Sequence, residues 1–402
     1  MAKPIRSHPL ARSRLAERAN QWLILAWEKG WLSVPPLDPE ALWREAARPL
    51  GETAQQAEHG GRSDEDVLDF RERLVRLADA LSGEARLNAL GRAMAHGQLV
   101  RVIRNRLRFG QLWSERPDLI STPIAPPIVV VGHMRSGTTR IHKLLAADPA
   151  HSHTRYCDAY HPLPGKIGVK RLTSSVELGV LGAVNPWLQT IHPMKAGEVE
   201  EELGWIAAAL HHSIYESQWH IPSYTSWGEA RDPGSVYREF DRILRTDAAA
   251  RGLEDRPRVL KVPAFTEDLE TLTAQFPDAR LVVAERDIDA VHRSAVSLVA
   301  NQMAIQSDAC DLAGIEAEWR RKLALREARV EQALSGWDGP LSRLRFAALN
   351  SDWEREIRRA YRELGLSLSA RALERMRRLM QESEDGHHAD HSLQLARFAA
   401  LD

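Results

Sequence analysis

The sequence predicts an α/β protein: a parallel β-sheet flanked by helices, preceded by an N-terminal helical region. Three observations predict it. From residue 11 to about 120, apolar side chains recur at three- and four-residue spacing, as in Leu68, Leu74, Leu77 and Leu81 and again in Leu87, Leu90 and Met94. That is the periodicity of helices with one buried face. A proline-rich joint, Ser121–Pro127 (STPIAPP), then changes the texture of the chain. Beyond it, short β-branched runs alternate with helical patterns, and such alternation implies a parallel sheet with helices on its faces. The chain therefore divides into a helical region, 1–120, and an α/β domain, 121–402.

Taken in order, Trp22–Trp27 (WLILAW) is apolar but far too short to cross a bilayer. Met1–Leu10 carries basic residues without the apolar run of a signal peptide, so a reducing cytoplasm is the expected compartment. Leu99–Trp113 (LVRVIRNRLRFGQLW) alternates arginine with apolar residues at helical spacing. It reads as an amphipathic helix with a solvated basic face, in preference to a nucleic-acid contact. Ile128–Val131 reads as a strand ended by Gly132, with a helix over Thr139–Ala147. Val259–Val262, between Pro257 and Pro263, is a second strand. Leu281–Ala284 is a third, entered by the turn Phe276–Ala279 and followed by a helix through Val299. Residues 311–382 read helical apart from a strand at Leu344–Ala347.

The 402 residues carry 54 basic and 55 acidic side chains, a net charge of −1. Hydrophobic residues at 44% exclude global disorder, and the balanced charge argues against a general nucleic-acid or anionic-membrane binder. Any anion site must be local. Two cysteines, Cys157 and Cys310, are too few for a disulfide framework or a cysteine zinc site. Arginine dominates the basic residues, so a well-placed lysine carries more information.

Ile128–Arg140 (IVVVGHMRSGTTR) is the most informative stretch. A loop between a buried strand and a helix aims several backbone N–H groups and the positive helix end at one place. Gly137 permits close approach, Ser136, Thr138 and Thr139 add hydroxyls, and Arg135 adds a fixed charge. The GxxxxGK[ST] pattern of a Walker A loop is missing. A second block, Leu281–Asp287 (LVVAERD), ends a strand in Arg286, and Ser294 follows two helical turns on, on a shared face. Two anion-seeking blocks at strand ends suit a ligand with two phosphate-like groups.

With these residues the chain resembles the bacterial-type sulfotransferases that use 3′-phosphoadenosine 5′-phosphosulfate (PAPS), whose fold is a P-loop-like parallel sheet flanked by helices. Arg135-Ser136-Gly137-Thr138-Thr139 resembles the family's 5′-phosphosulfate loop, and Arg286 and Ser294 match the positions that bind the 3′-phosphate. Arg86–Arg92 (RLNALGR) and Leu260–Pro263 (LKVP) also resemble family segments, so the likeness spans about residues 80 to 380. Three features depart from it. Phe265 stands where many relatives have histidine, Ile288 replaces a proline, and Gly386–Leu393 (GHHADHSL) follows the family ending loosely.

The resemblance implies in-line sulfuryl transfer from PAPS, releasing PAP, to a hydroxyl or amine of a small acceptor. Arg135 would stabilise the charge growing on the bridging oxygen, with Lys261 as a second cation. A carboxylate is expected as base: Asp158 matches a family glutamate, and Glu200 and Glu201 in Glu198–Glu202 resemble an acidic pair. His161 and His192 are further candidates. That acidic run also reads as a helix start whose charges complement the dipole. The doublets His211-His212 and His387-His388 lack metal-ligand spacing, so no metal is expected. Trp205, Trp219, Tyr224 and Trp227 either line an apolar acceptor pocket or pack in the core. No stable membrane insertion is expected, and the N-terminal helices either cover the acceptor site or pack on a second subunit. Two rival readings remain: a non-catalytic nucleotide binder with this fold, and a kinase, which the missing P-loop lysine disfavours.

Overall fold

A computed structural model describes residues 6–383. Five strands form one sheet in the order β2-β3-β1-β4-β5, every neighbouring pair parallel. They are β1 (Ile128–Val131), β2 (Ser152–His153), β3 (Arg258–Lys261), β4 (Arg280–Glu285) and β5 (Leu341–Arg345). β1 lies at the centre, with Val129 opposite Leu260 on one side and Leu281 on the other.

Every residue of β1 and β3 is buried, the mark of a parallel sheet covered on both faces. Alternation along β1 divides the core. Val129 and Val131 join Leu74, Leu77, Leu99, Ile103 and Trp113 in one cluster, so the N-terminal helices and this face of the sheet share a continuous core. Ile128 and Val130 face the other way, onto Ile141, Leu144 and Leu145 of the helix Thr138–Ala146 and onto Ile357 and Tyr361.

The central strands lie within one or two residues of expectation. β5 begins three residues earlier than expected, because this edge strand buries only Ser342 and Leu344 of Leu341–Arg345 and its sequence carries little apolar signal. β2 has two residues and no periodicity at all; its pairing with Arg258 and Val259 defines it. The basic face expected for Leu99–Trp113 is only partly solvated. Arg106 is buried, lies 4.1 Å from the Phe70 ring, and pairs with Glu239, which Arg62 also holds at 2.7 Å. The Glu198–Glu202 run is not a helix start: Val199 bridges to Arg155 in extended pairing, and the next short helix begins at Leu203. Among the described residues no helix is long and apolar enough to cross a membrane. The segment Gly386–Leu393 and the His387-His388 doublet lie outside the described residues.

Candidate functional site

The carboxyl ends of β1, β3 and β4 converge, as they must in a parallel sheet, and each carries a part of one polar cluster. The chain leaves β1 through Gly132 and turns at Arg135, whose φ of 72° is unusual for a side-chain-bearing residue, into Gly137 at φ 93°. A Cβ on Gly137 would lie 2.6 Å from the Phe346 ring, so conformation and space both demand glycine. Gly137 is also the N-cap of Thr138–Ala146 and offers no side chain to the first-turn N–H groups. That turn is therefore open to an anion. Thr138 is buried and Thr139 exposed, while the Ser136 hydroxyl is turned inward and donates to the His133 carbonyl at 2.7 Å.

The two basic blocks meet. Arg135 Nε donates to Ser294 Oγ at 2.9 Å, and its Nη1 donates to the Ile191 carbonyl at 2.9 Å. Arg286 Nη1 donates to the Arg135 carbonyl at 2.7 Å and lies 4.2 Å from the centre of the Phe346 ring. Residues about 150 positions apart are thus one hydrogen-bonded unit, with Phe346 as the floor under both Gly137 and Arg286. Burial lowers the pKa of Arg135, helped by Arg286 and opposed by Glu201.

The acidic residues Glu200–Glu202 lie against the end of β3. Lys261 Nζ, buried at the strand end, pairs with Glu201, and its backbone N–H donates to Glu202 Oε2 at 2.9 Å. Glu200 Oε1 accepts from His192 Nε2 at 3.2 Å and from the Glu201 N–H at 2.9 Å. Burial pushes the His192 pKa down, but the charge and hydrogen bond of Glu200 outweigh it and hold the imidazole above its ordinary value. His192, Glu200 and Glu201 have the proximity of a metal site, yet Glu201 already pairs with the Lys261 ammonium. His212, Glu216 and Glu229 form a second such group, with the Lys322 ammonium bound to Glu216 and Glu229.

Glu202 is fully buried, and its Oε1 has no hydrogen-bond partner. Burial pushes its pKa up to about 7. The folded state therefore binds a proton that the unfolded chain releases near pH 4.5, so stability falls as pH rises from about 4.5 to 7, by about 3 kcal/mol, and levels off above. Glu202→Gln is expected to remove that fall and raise the urea midpoint at pH 8 relative to pH 5. An unchanged pH dependence in the variant would show that another group is responsible.

Asp158 belongs to a different cluster. Its carboxylate is 1% exposed and bound by Arg155 Nε at 2.5 Å and Lys170 Nζ at 2.7 Å. Burial alone would raise its pKa; the hydrogen bonds from Arg155 and Lys170 outweigh that and hold it low. None of these partners bonds to Arg135, Lys261 or Glu201. His161 pairs with Glu177 at 2.9 Å, also away from the loop. The aromatic segment packs in the core: Trp205, Trp219 and Tyr224 are buried, and Trp219 Nε1 donates to Gln306 at 2.9 Å. Phe346 had no sequence signal, since nothing local marks an aromatic that supports a loop 209 positions earlier.

A sequence model described as "Sulfotransferase family" matches residues 126–370. The structure is similar to the sulfotransferase STF1 of Mycobacterium tuberculosis H37Rv, at 27% identity and a TM-score of 0.75 over 90% of this chain and 98% of that one. It also shares its fold with the sulfotransferase STF9 of Mycobacterium avium, at 20% identity and a TM-score of 0.76 over 90% of this chain and 95% of that one. No curated protein matches the sequence.

Proposed function

The chain belongs to the sulfotransferase family, and from that premise we propose that it moves a sulfuryl group from PAPS to a hydroxyl or amine of a small acceptor. The observation that carries the donor assignment is the junction of the two basic blocks, in which Arg135 binds Ser294 and Arg286 binds the Arg135 carbonyl. A ligand with a phosphosulfate at one end and a separate phosphate on its ribose matches such a pair. The open first turn of Thr138–Ala146, with Arg135, Thr138 and Thr139, would take the phosphosulfate. Arg286 and Ser294 would take the 3′-phosphate.

The donor supplies an activated sulfur; the chain supplies alignment, charge and a proton acceptor. As the sulfur–oxygen bond to phosphate breaks and the bond to the acceptor forms, negative charge collects on the departing oxygen. Arg135 and Lys261 are the cations at the strand ends that balance it. The acceptor proton goes to a carboxylate, and Glu201 is the candidate in this cluster: Lys261 holds its Oε1, whereas cations hold both oxygens of Asp158.

Arg286→Ala tests the donor assignment. Calorimetry should show PAP affinity falling about tenfold to a hundredfold, while adenosine 5′-phosphosulfate, which lacks the 3′-phosphate, is nearly unaffected. Equal losses for both ligands, or magnesium-dependent ATP binding in place of PAP, would overturn it. For the base, Glu201→Gln is expected to stop turnover with PAP affinity retained, and Asp158→Asn to leave turnover of the folded fraction intact. The reverse pattern would restore Asp158 as the base.

A further inference from the structure

The helix Ile167–Val184 turns a row of apolar side chains to solvent. Its solvent face presents Val169, Leu172, Val176 and Val180, which are 62, 68, 61 and 61% exposed, with Gly179 among them and Gly168 and Ala183 at either end. Part of its polar set is turned toward the protein: Ser174 is fully buried, Lys170 binds Asp158 at 2.7 Å, and Glu177 binds His161 at 2.9 Å, while Arg171, Thr173 and Ser175 are exposed beside the apolar residues. A surface helix of a globular protein normally buries such residues, and an apolar row running about 17 Å from Val169 to Val180 marks a contact surface. The stripe continues onto the helix Arg14–Glu28, where Ser13 Oγ donates to the Val184 carbonyl at 2.7 Å. That helix and the turn after it expose Leu15, Trp22, Leu25, Trp31 and Leu32.

We propose that this face docks on an anionic lipid surface. Three features choose that occupant. The apolar stripe is edged by exposed cations, Lys166 and Arg171 at the start of one helix, and on the other Arg14, Arg18 and Lys29 outnumber the exposed Glu17 and Glu28, a balance that complements anionic headgroups. Two of the exposed side chains are tryptophans, Trp22 at 54% and Trp31 at 65%, the residue type that settles at the headgroup level. A second copy fits poorly: an antiparallel partner would lay Lys166 and Arg171 against Val180–Val184, which holds no carboxylate, and a parallel one would oppose like charges. Lys170, Arg171 and Glu177 keep the helix from spanning a bilayer, so it lies in the interface plane. The balanced net charge expected to argue against membrane contact hides this local asymmetry. The face is joined to the candidate site, since the chain runs from Val184 to Ile191, whose carbonyl holds Arg135.

Flotation of the whole protein with phosphatidylcholine vesicles, with and without phosphatidylglycerol, tests the proposal. Binding is expected only with the anionic lipid, to weaken with salt, and to blue-shift tryptophan emission. Leu172→Asp with Val176→Asp, and separately Lys166→Glu with Arg171→Glu, should each lower partitioning at least about tenfold with PAP affinity unchanged. No flotation with either vesicle, or flotation indifferent to both variants, would overturn it. So would a dimer in sedimentation that the aspartate variant turns to monomer while vesicle binding is absent. The PAP titration is independent: its failure would remove the donor assignment and leave the surface assignment untouched.

Discussion

Arg135→Ala is expected to lower kcat about 10²- to 10³-fold, the loss typical of removing one donor aimed at developing charge in a closed site. Arg135 joins the two basic blocks: its guanidinium reaches Ser294 and the Ile191 carbonyl, and its own carbonyl receives Arg286. Truncation removes the charge and its bonds to Ser294 and the Ile191 carbonyl, while the backbone carbonyl that Arg286 holds is kept, so PAP affinity should fall with kcat. Arg135→Lys separates the two effects. It keeps the charge but has no planar fork to serve two acceptors at once, so it should recover part of the turnover and little of the donor affinity. Steady-state kinetics with PAPS, alongside calorimetry with PAP, reads both. An unchanged kcat in folded Arg135→Ala would transfer the charge-stabilising role to Lys261.

The largest effect on stability is expected at Glu267, just past the end of β3. This buried carboxylate accepts from His212 Nε2 at 2.7 Å, Lys322 Nζ at 2.7 Å and Arg326 Nε at 3.1 Å. Burial would raise its pKa, but His212, Lys322 and Arg326 together hold it well below the ordinary value of 4.5. Its stabilisation is thus fully present above pH 4.5 and is lost as pH falls toward the folded-state value. Glu267→Ala leaves two cations and an imidazole without their common partner, and should destabilise by about 3–5 kcal/mol, read as a lowered urea midpoint with an unchanged slope. Replacing Lys322 with methionine should cost less, because Arg326 and His212 still satisfy Glu267. A Glu267→Ala variant as stable as the parent would mean that the network is neutral.

Much of this architecture was legible without coordinates, for a local reason. Ile128–Val131 buries every side chain, and four consecutive β-branched residues followed by glycine announce that directly. The helix caps are similarly local: Ser63 accepts from the Asp66 N–H and Asn88 from the Gly91 N–H, each within one turn. The loop 132–139 could be read because glycine, hydroxyls and arginine between strand and helix have few other uses together. The short pairing of β2 and the early start of β5 could not, since their partners on β3 and β4 supply the ordering that their own residues lack.

The fold class was fixed along the chain, and the loop 132–139 and the pair Arg286 and Ser294 were marked there as candidates, because those depend on backbone conformation and on residue types a few positions apart. Only the tertiary structure decided how the charges are matched. It bound Asp158 to Arg155 and Lys170, paired Lys261 with Glu201, set Phe346 beneath Gly137, and turned the apolar side of Ile167–Val184 outward. Charge pairing and burial are properties of neighbours in space, and here those neighbours stand 60 residues apart for Lys261 and Glu201 and more than 200 for Gly137 and Phe346. No pattern along the chain encodes such distances; only the packed sheet and its helices bring them together.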